Sequence, residues 1–180
     1  MATTRGATTD ADLMHVPRDG RKYELVNGDV VVSPAGMRHG RVIVKLTARL
    51  DAHVEAKHLG MVFDSSTGFR LPRGNVRSPD VSFVTTARLP KGEIPQGFGE
   101  LAPDLVVEVL SPGDDEPALF EKLGEYLGAG VRLIWVIDPT RRSATAYRSL
   151  VQTRHLTDDD FLDGEDIVPG FRCRLSEVLG

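Results

Sequence analysis

Apolar and polar positions recur along this chain in two different periods. Over residues 37–59, Val42, Ile43, Leu46, Leu50 and Val54 fall at helical spacing, which predicts one long amphipathic helix with Gly60 as its C-terminal cap. Residues 23–32, YELVNGDVVV, set two β-prone runs on either side of Asn27-Gly28, a dipeptide that favours a two-residue hairpin turn. Pro34 and Gly36 close that unit. Short strand-like runs follow at 61–64 (MVFD), 68–71 (GFRL) and 80–84 (DVSFV). Residues 85–102 hold Pro90, Gly92, Pro95, Gly97 and Gly99 and predict a long surface loop.

DLVVEVL at 104–110 carries apolar side chains on both parities, the pattern of a strand covered on both faces, and VRLIWVID at 131–138 reads as another buried strand. Between them a second helix is expected over 117–129. Pro117 suits its first turn, Asp114 to Glu116 suit its positive end, and Gly130 ends it. SATAYRSL and QTRHL read as a polar meander, Asp158-Asp159-Asp160 and Gly164 as a turn, and FRCRLSEVL as a short closing element.

This order predicts an α/β (α+β) domain with a mixed central sheet flanked by helices. The 180 residues suffice for one domain with a true core, assigned to residues 21–180, preceded at 1–20 by a Thr-, Asp- and Ala-rich tail or short helix. The balance of 22 Lys+Arg against 26 Asp+Glu excludes a general nucleic-acid coat protein, which would be basic all over. It leaves room for a local basic patch or for metal-assisted contact with phosphate. Cys173, the one cysteine, excludes an internal disulfide framework and a Cys-based zinc site. No apolar run reaches membrane-spanning length and the N-terminus lacks the apolar stretch of a secretory signal, so no membrane association and a cytoplasmic location are expected.

Glu108 carries the most chemical information. It stands in the middle of Leu105-Val106-Val107-Glu108-Val109-Leu110, where an ionised carboxylate costs several kcal/mol, about the figure for a buried ion, unless it is paired or metal-bound. An Arg partner would also account for it. Asp80 opens the strand DVSFV directly after Ser78-Pro79, and adjacent strands could bring both carboxylates to one side of a sheet. Hard divalent cations are held by one or two carboxylates, with water and substrate phosphate in the remaining positions. Asp80 by itself is more often a turn residue than a ligand. On the second helix, Leu119, Phe120, Leu123, Tyr126 and Leu127 form the predicted buried arc. Lys122 flanks it, able to run its stem along apolar surface towards the acids, while Glu121 and Glu125 point away.

These residues carry a resemblance. Tyr23-Glu24-Leu25 before an Asn-Gly hairpin, a helix with an early His39, Ser78-Pro79-Asp80-Val81, PDLVVEVLSP at 103–112, Lys122, Tyr126, Gly130-Val131 and WVIDP at 135–139 follow in the order seen in the Uma-two type of restriction-endonuclease family, within the PD-(D/E)XK nuclease superfamily. The chain resembles that family over roughly residues 20–180. The resemblance implies a restriction-endonuclease-like fold and a metal-dependent phosphodiesterase acting on DNA. Asp80 would match the Asp of the PD element, Glu108 the acid of the (D/E)XK element, and Glu24 an assisting N-terminal acid. Asp80, Glu108 and the carbonyl of Val109 would hold Mg²⁺ (or Mn²⁺). The superfamily lysine is expected two residues after Glu108, where Leu110 stands, and Lys122 would take its place. A homodimer is expected by analogy with this fold.

Two features concern substrate contact. His39 lies in line with Ile43, Leu46 and Leu50, as a buried hydrogen-bonded side chain or a wall of the site. Arg38, Arg41, Lys45 and Arg49 fall on one face of the same helix, as a solvated face or a phosphate-tracking stripe. The rival to the endonuclease is a nuclease-fold binding or assembly module without catalysis, which Leu110 and the net negative charge favour.

Overall fold

The structure, a computed structural model, describes residues 2–4, 13, 15–16, 22–33, 36–89 and 94–180. Strand β1 (Ala2–Thr4) pairs with β3 (Asp29–Ser33), which turns back on β2 (Lys22–Val26). Part of the expected N-terminal tail is thus an edge strand, while most of residues 1–20 lie outside the described residues. The β2–β3 turn is the predicted hairpin. Asn27 and Gly28 both take positive φ, 52° and 84°, as a type I′ turn requires.

Helix α1 (Met37–Ala56) follows, then β4 (Gly60–Asp64), β5 (Phe69–Arg70), β6 (Val76–Arg77) and β7 (Val81–Thr85). The first helix stops three residues earlier than its periodicity suggests. Lys57 is its C-cap, and His58 takes the left-handed backbone (φ 53°) that turns the chain into β4. Gly60 is a strand residue and not a cap. A Cβ there would collide with the Val84 carbonyl oxygen and lie 2.8 Å from Phe83 and Thr85.

After a 3₁₀ turn (Thr86–Arg88) the chain crosses the Gly/Pro-rich segment, of which residues 90–93 fall outside the described set. That segment is more than surface loop: Leu89 and Ala102 are buried, and Gly99 bridges to Phe69. Strand β8 (Leu105–Val109), helix α2 (Glu116–Gly128) and β9 (Leu133–Asp138) form a parallel crossover unit. Asp115 caps α2 by accepting from the Ala118 N–H at 3.1 Å. The meander is β10 (Ser143–Tyr147) and β11 (Thr153–Leu156). A hairpin of β12 (Phe161–Asp163) and β13 (Arg172–Arg174) and the short helix α3 (Leu175–Leu179) end the chain.

The central sheet has six strands in the order β11-β10-β9-β8-β7-β4, mixed because only β8 and β9 run parallel. Helix α1 covers one face, where Val42, Leu46, Leu50 and Val54 meet Val81, Phe83, Leu105 and Val107. Helix α2 covers the other, where Leu123 and Tyr126 meet Val84, Val106, Ile134 and Val136. Each such aliphatic side chain contributes about 1.5–3 kcal/mol on full burial. A second, five-stranded sheet runs β1-β3-β2-β6-β5, with Leu25, Val30 and Val76 in its own small core.

One short crossing between the two sheets positions the site. β6 belongs to the small sheet and β7 to the large one, and only Ser78-Pro79-Asp80 separates them. Asp80 therefore sits at the seam, between β2 with Glu24 and β8 with Glu108.

Candidate active site

Strand parity decides where Glu108 points. It alternates with Val107 and Val109, which face α1, and shares the face of Val106, which packs beneath α2. At 6% exposure its carboxylate is closed off from solvent on the α2 side. Two groups from α2 reach its Oε1: the Tyr126 hydroxyl donates at 2.8 Å and Lys122 Nζ lies at 2.9 Å. They stand one helical turn apart, which puts both on the same flank. The lysine expected on the strand is absent at Leu110, and its ammonium arrives from the helix instead.

Glu24 comes to the same ammonium from the other sheet. Its Oε1 lies 3.3 Å from Lys122 Nζ and accepts the Ser78 N–H at 2.9 Å. Its Oε2 lies 3.6 Å from Arg77. Arg77 is in turn gripped by Glu125, 2.6 Å from its guanidinium, and Glu125 also accepts from Asn75 at 2.6 Å. Glu125 thus turns inward and braces β6 against α2, contrary to the outward direction read from its helical angle. Phe120, placed in the buried arc by the same angle, is 44% exposed. The arc is narrower because α2 meets the sheet over Leu123 and Tyr126.

Asp80 completes the group. Its Oδ2 accepts the Val109 N–H at 2.8 Å, which locks it to β8. Its Oδ1 lies 2.8 Å from Lys22 Nζ and 3.5 Å from His39 Nε2. His39 Nδ1 is 3.2 Å from Ser111 Oγ, so the imidazole spans Asp80 and the end of β8 as a wall of the site.

Burial and charge set the ionisation of these groups. Burial pushes the Glu108 carboxyl above the usual range, outweighing the attraction of Lys122 and Lys22, with Asp80 and Glu24 adding repulsion. Burial also opposes ionisation of Glu24, but Lys122, Lys22, Arg77 and the Ser78 amide outweigh it and hold that carboxyl low. Asp80 is held well below the ordinary range, since His39 and Lys22 outweigh its desolvation. Lys122 goes up despite its burial, because Glu108 and Glu24 stabilise its charged form. Its ammonium is thereby held in the charged form.

The acids open onto a cleft of about 950 Å³ between α1, α2 and the β2–β3 hairpin. Lys22, Glu24, His39, Asp80, Glu108 and Lys122 lie along it. Besides His39, the α1 residues that face it are Gly40, Ile43, Val44, Thr47 and Ala48. Arg38, Arg41, Lys45 and Arg49 lie on a different face of that helix, where Arg49 pairs with Glu177 at 3.6 Å. Lys22, Arg77 and Tyr126 were not singled out as site residues from sequence. Lys22 carried one usable signal, its place two residues before Glu24 on the same strand face.

The donor set suits a hard divalent cation in a limited way. Asp80 and Glu108 provide two carboxylates on adjoining strands, which is the number Mg²⁺ commonly takes from protein. The Val109 N–H holds Asp80, and the ligand role expected of Val109 concerns its carbonyl oxygen. Among the described residues no group of three His, Cys, Asp or Glu stands ready as a metal cage. Every acid of the cluster is instead met by a cation of the chain itself.

A family model described as "Putative restriction endonuclease" matches residues 10–176. Among solved structures, a "putative nuclease belonging to DUF820" from Anabaena variabilis superimposes with a TM-score of 0.82 at 19% identity, over 95% of this chain and 97% of that one. No curated protein matches.

Proposed function

The chain belongs to the Uma2 family, described as "Putative restriction endonuclease", and we propose that it hydrolyses DNA phosphodiester bonds in a reaction that depends on a divalent metal. The observation that carries this reading is Lys122 Nζ, 2.9 Å from Glu108 and 3.3 Å from Glu24, beside Asp80 in an open cleft. A fixed ammonium among carboxylates beside an open cleft is an arrangement a phosphodiesterase can use.

Asp80, Glu108 and the Val109 carbonyl would hold Mg²⁺ or Mn²⁺. The ion would supply charge neutralisation at the phosphate and a more acidic bound water. The rest falls to the chain. Lys122 keeps its proton and offers a fixed positive charge to the phosphorane-like transition state. Glu24 and Tyr126 hold Lys122 and Glu108 in place. His39 walls the site and orients Asp80. Water oxygen bonds to phosphorus, one P–O ester bond breaks, and a phosphomonoester and a hydroxyl result.

The second reading, a non-catalytic nuclease-fold module, is favoured by one observation: each acid of the cluster is paired within the chain. Incubating the pure protein with plasmid, linear and single-stranded DNA in Mg²⁺, Mn²⁺ or EDTA separates the two. Metal-dependent cleavage lost in Asp80→Asn supports the nuclease. Binding of DNA without cleavage in any metal supports the module.

A further inference from the structure

The cations on the floor of the cleft are held unequally. Lys122 is shared by Glu108 and Glu24, and Arg77 by Glu24 and Glu125. Among the described residues, Lys22 is bonded to one carboxylate oxygen only, Asp80 Oδ1. Asp80 Oδ2 is engaged by the Val109 N–H, so Oδ1 is the oxygen left for a divalent ion. Among the described residues, the rim adds negative charge from Asp64, Asp114, Asp115 and Glu121. Among the described residues of the lining, an entering phosphodiester therefore meets no lysine or arginine that is free of a carboxylate.

We propose that Lys22 is a displaceable counter-ion of Asp80. It holds Oδ1 while no divalent cation is bound, gives up that oxygen when one binds, and its released ammonium then contacts the substrate phosphate. The proposal rests on the nuclease reading of the same site. An ammonium and a dipositive ion on one carboxylate oxygen repel each other, and the weaker-held cation leaves. At Asp80 Oδ1 that cation is Lys22, a single charge against the ion's two, bonded among the described residues to no second carboxylate. Strand β2 puts Lys22 on the face of Glu24, so its flexible stem keeps the freed ammonium inside the cleft. Metal loading would thereby create a free positive charge that the described lining of the cleft lacks.

The full chain, Lys22→Met and Lys22→Arg are titrated with Mn²⁺ alone, read by water-proton relaxation, with Lys22→Gln in reserve should the Met variant fail to give a cooperative melt. DNA oligonucleotide binding is then read by anisotropy in Ca²⁺. Lys22→Met should bind Mn²⁺ about tenfold more tightly and DNA in Ca²⁺ about tenfold more weakly, from loss of one close charge. Lys22→Arg should stay within a few-fold of the parent in both. Mn²⁺ affinity that is unchanged or weaker in Lys22→Met overturns the proposal, as does unchanged DNA affinity. If the parent cleaves through Asp80 while Lys22→Met leaves Mn²⁺ affinity alone, the counter-ion falls and the nuclease stands. If the parent cleaves nothing while Lys22→Met gains Mn²⁺ affinity, displacement by metal stands and the nuclease falls.

Discussion

Lys122 Nζ stands 2.9 Å from Glu108 Oε1, so helix α2 supplies at this carboxylate the ammonium that Leu110, two residues along the strand, cannot. The same ammonium reaches Glu24 on the other sheet. One side chain thus neutralises two buried acids and ties the small sheet to the large one.

Lys122→Met should therefore harm stability as well as catalysis. It leaves Glu108 and Glu24 without their shared cation, at a cost of about 3–5 kcal/mol near neutral pH. Glu108, already raised by burial, rises further without Lys122. Its carboxyl then takes up a proton as pH falls, which relieves the variant. The deficit in urea unfolding should be smaller at pH 5 than at pH 7.5, and an equal deficit at both would contradict the pairing. Single-turnover cleavage should drop roughly 10²–10³-fold, as for loss of one preorganised donor, with no fall in Mn²⁺ affinity.

Asp80→Asn should flatten the acid limb of stability. The Asp80 carboxyl is depressed in the folded protein, whereas the unfolded chain protonates it near the ordinary value of about 3.9. Its contribution is present above that pH and is lost as pH falls towards the folded value. Between about pH 4 and pH 2, urea midpoints of the Asn variant should fall less steeply than those of the parent. At neutral pH the variant should lose about 1–3 kcal/mol, because Lys22 is left without its acid. An Asn variant as stable as the parent throughout would mean that the Lys22 and Val109 contacts do not form.

Gly60→Ala tests the seat of strand β4. A Cβ there runs into the backbone of β7 at Val84 and Thr85, which cannot rotate out of the way. The change should destabilise by at least the 1–3 kcal/mol typical of overpacking. A helix-cap glycine, the role its sequence position suggests, would give a smaller loss. Chemical denaturation decides, and a loss under about 0.5 kcal/mol would remove the close approach.

Replacing Arg38, Arg41, Lys45 and Arg49 together by Gln should leave the salt dependence of DNA binding nearly unchanged, because these residues do not line the cleft. Each duplex phosphate contact contributes about 0.9 to the slope of log K against log salt. A fall in slope of about 3–4 would instead put the phosphate path on the outer face of α1.

Local chemistry was legible in the sequence wherever neighbours along the chain decide it. The Asn27-Gly28 turn needs only two residues that accept positive φ. The buried face of α1 follows from periodicity, and the two-sided cover of β8 and β9 from unbroken apolar runs. Asp80, Glu108, Lys122 and Glu24 could be named because acids in apolar strands stand out and their order resembles a known family. Their partners could not be named in the same way. Lys22 meets Asp80 across 58 positions, and Asn75 meets Glu125 across 50. Helical angle alone sent Glu125 outward and Phe120 inward, and the narrow contact of α2 over Leu123 and Tyr126 reversed both. Which cation holds which acid depends on how two sheets meet at Ser78-Pro79-Asp80. Desolvation at that seam makes each unpaired charge costly, so the pairing is selected by packing and not by neighbours along the chain.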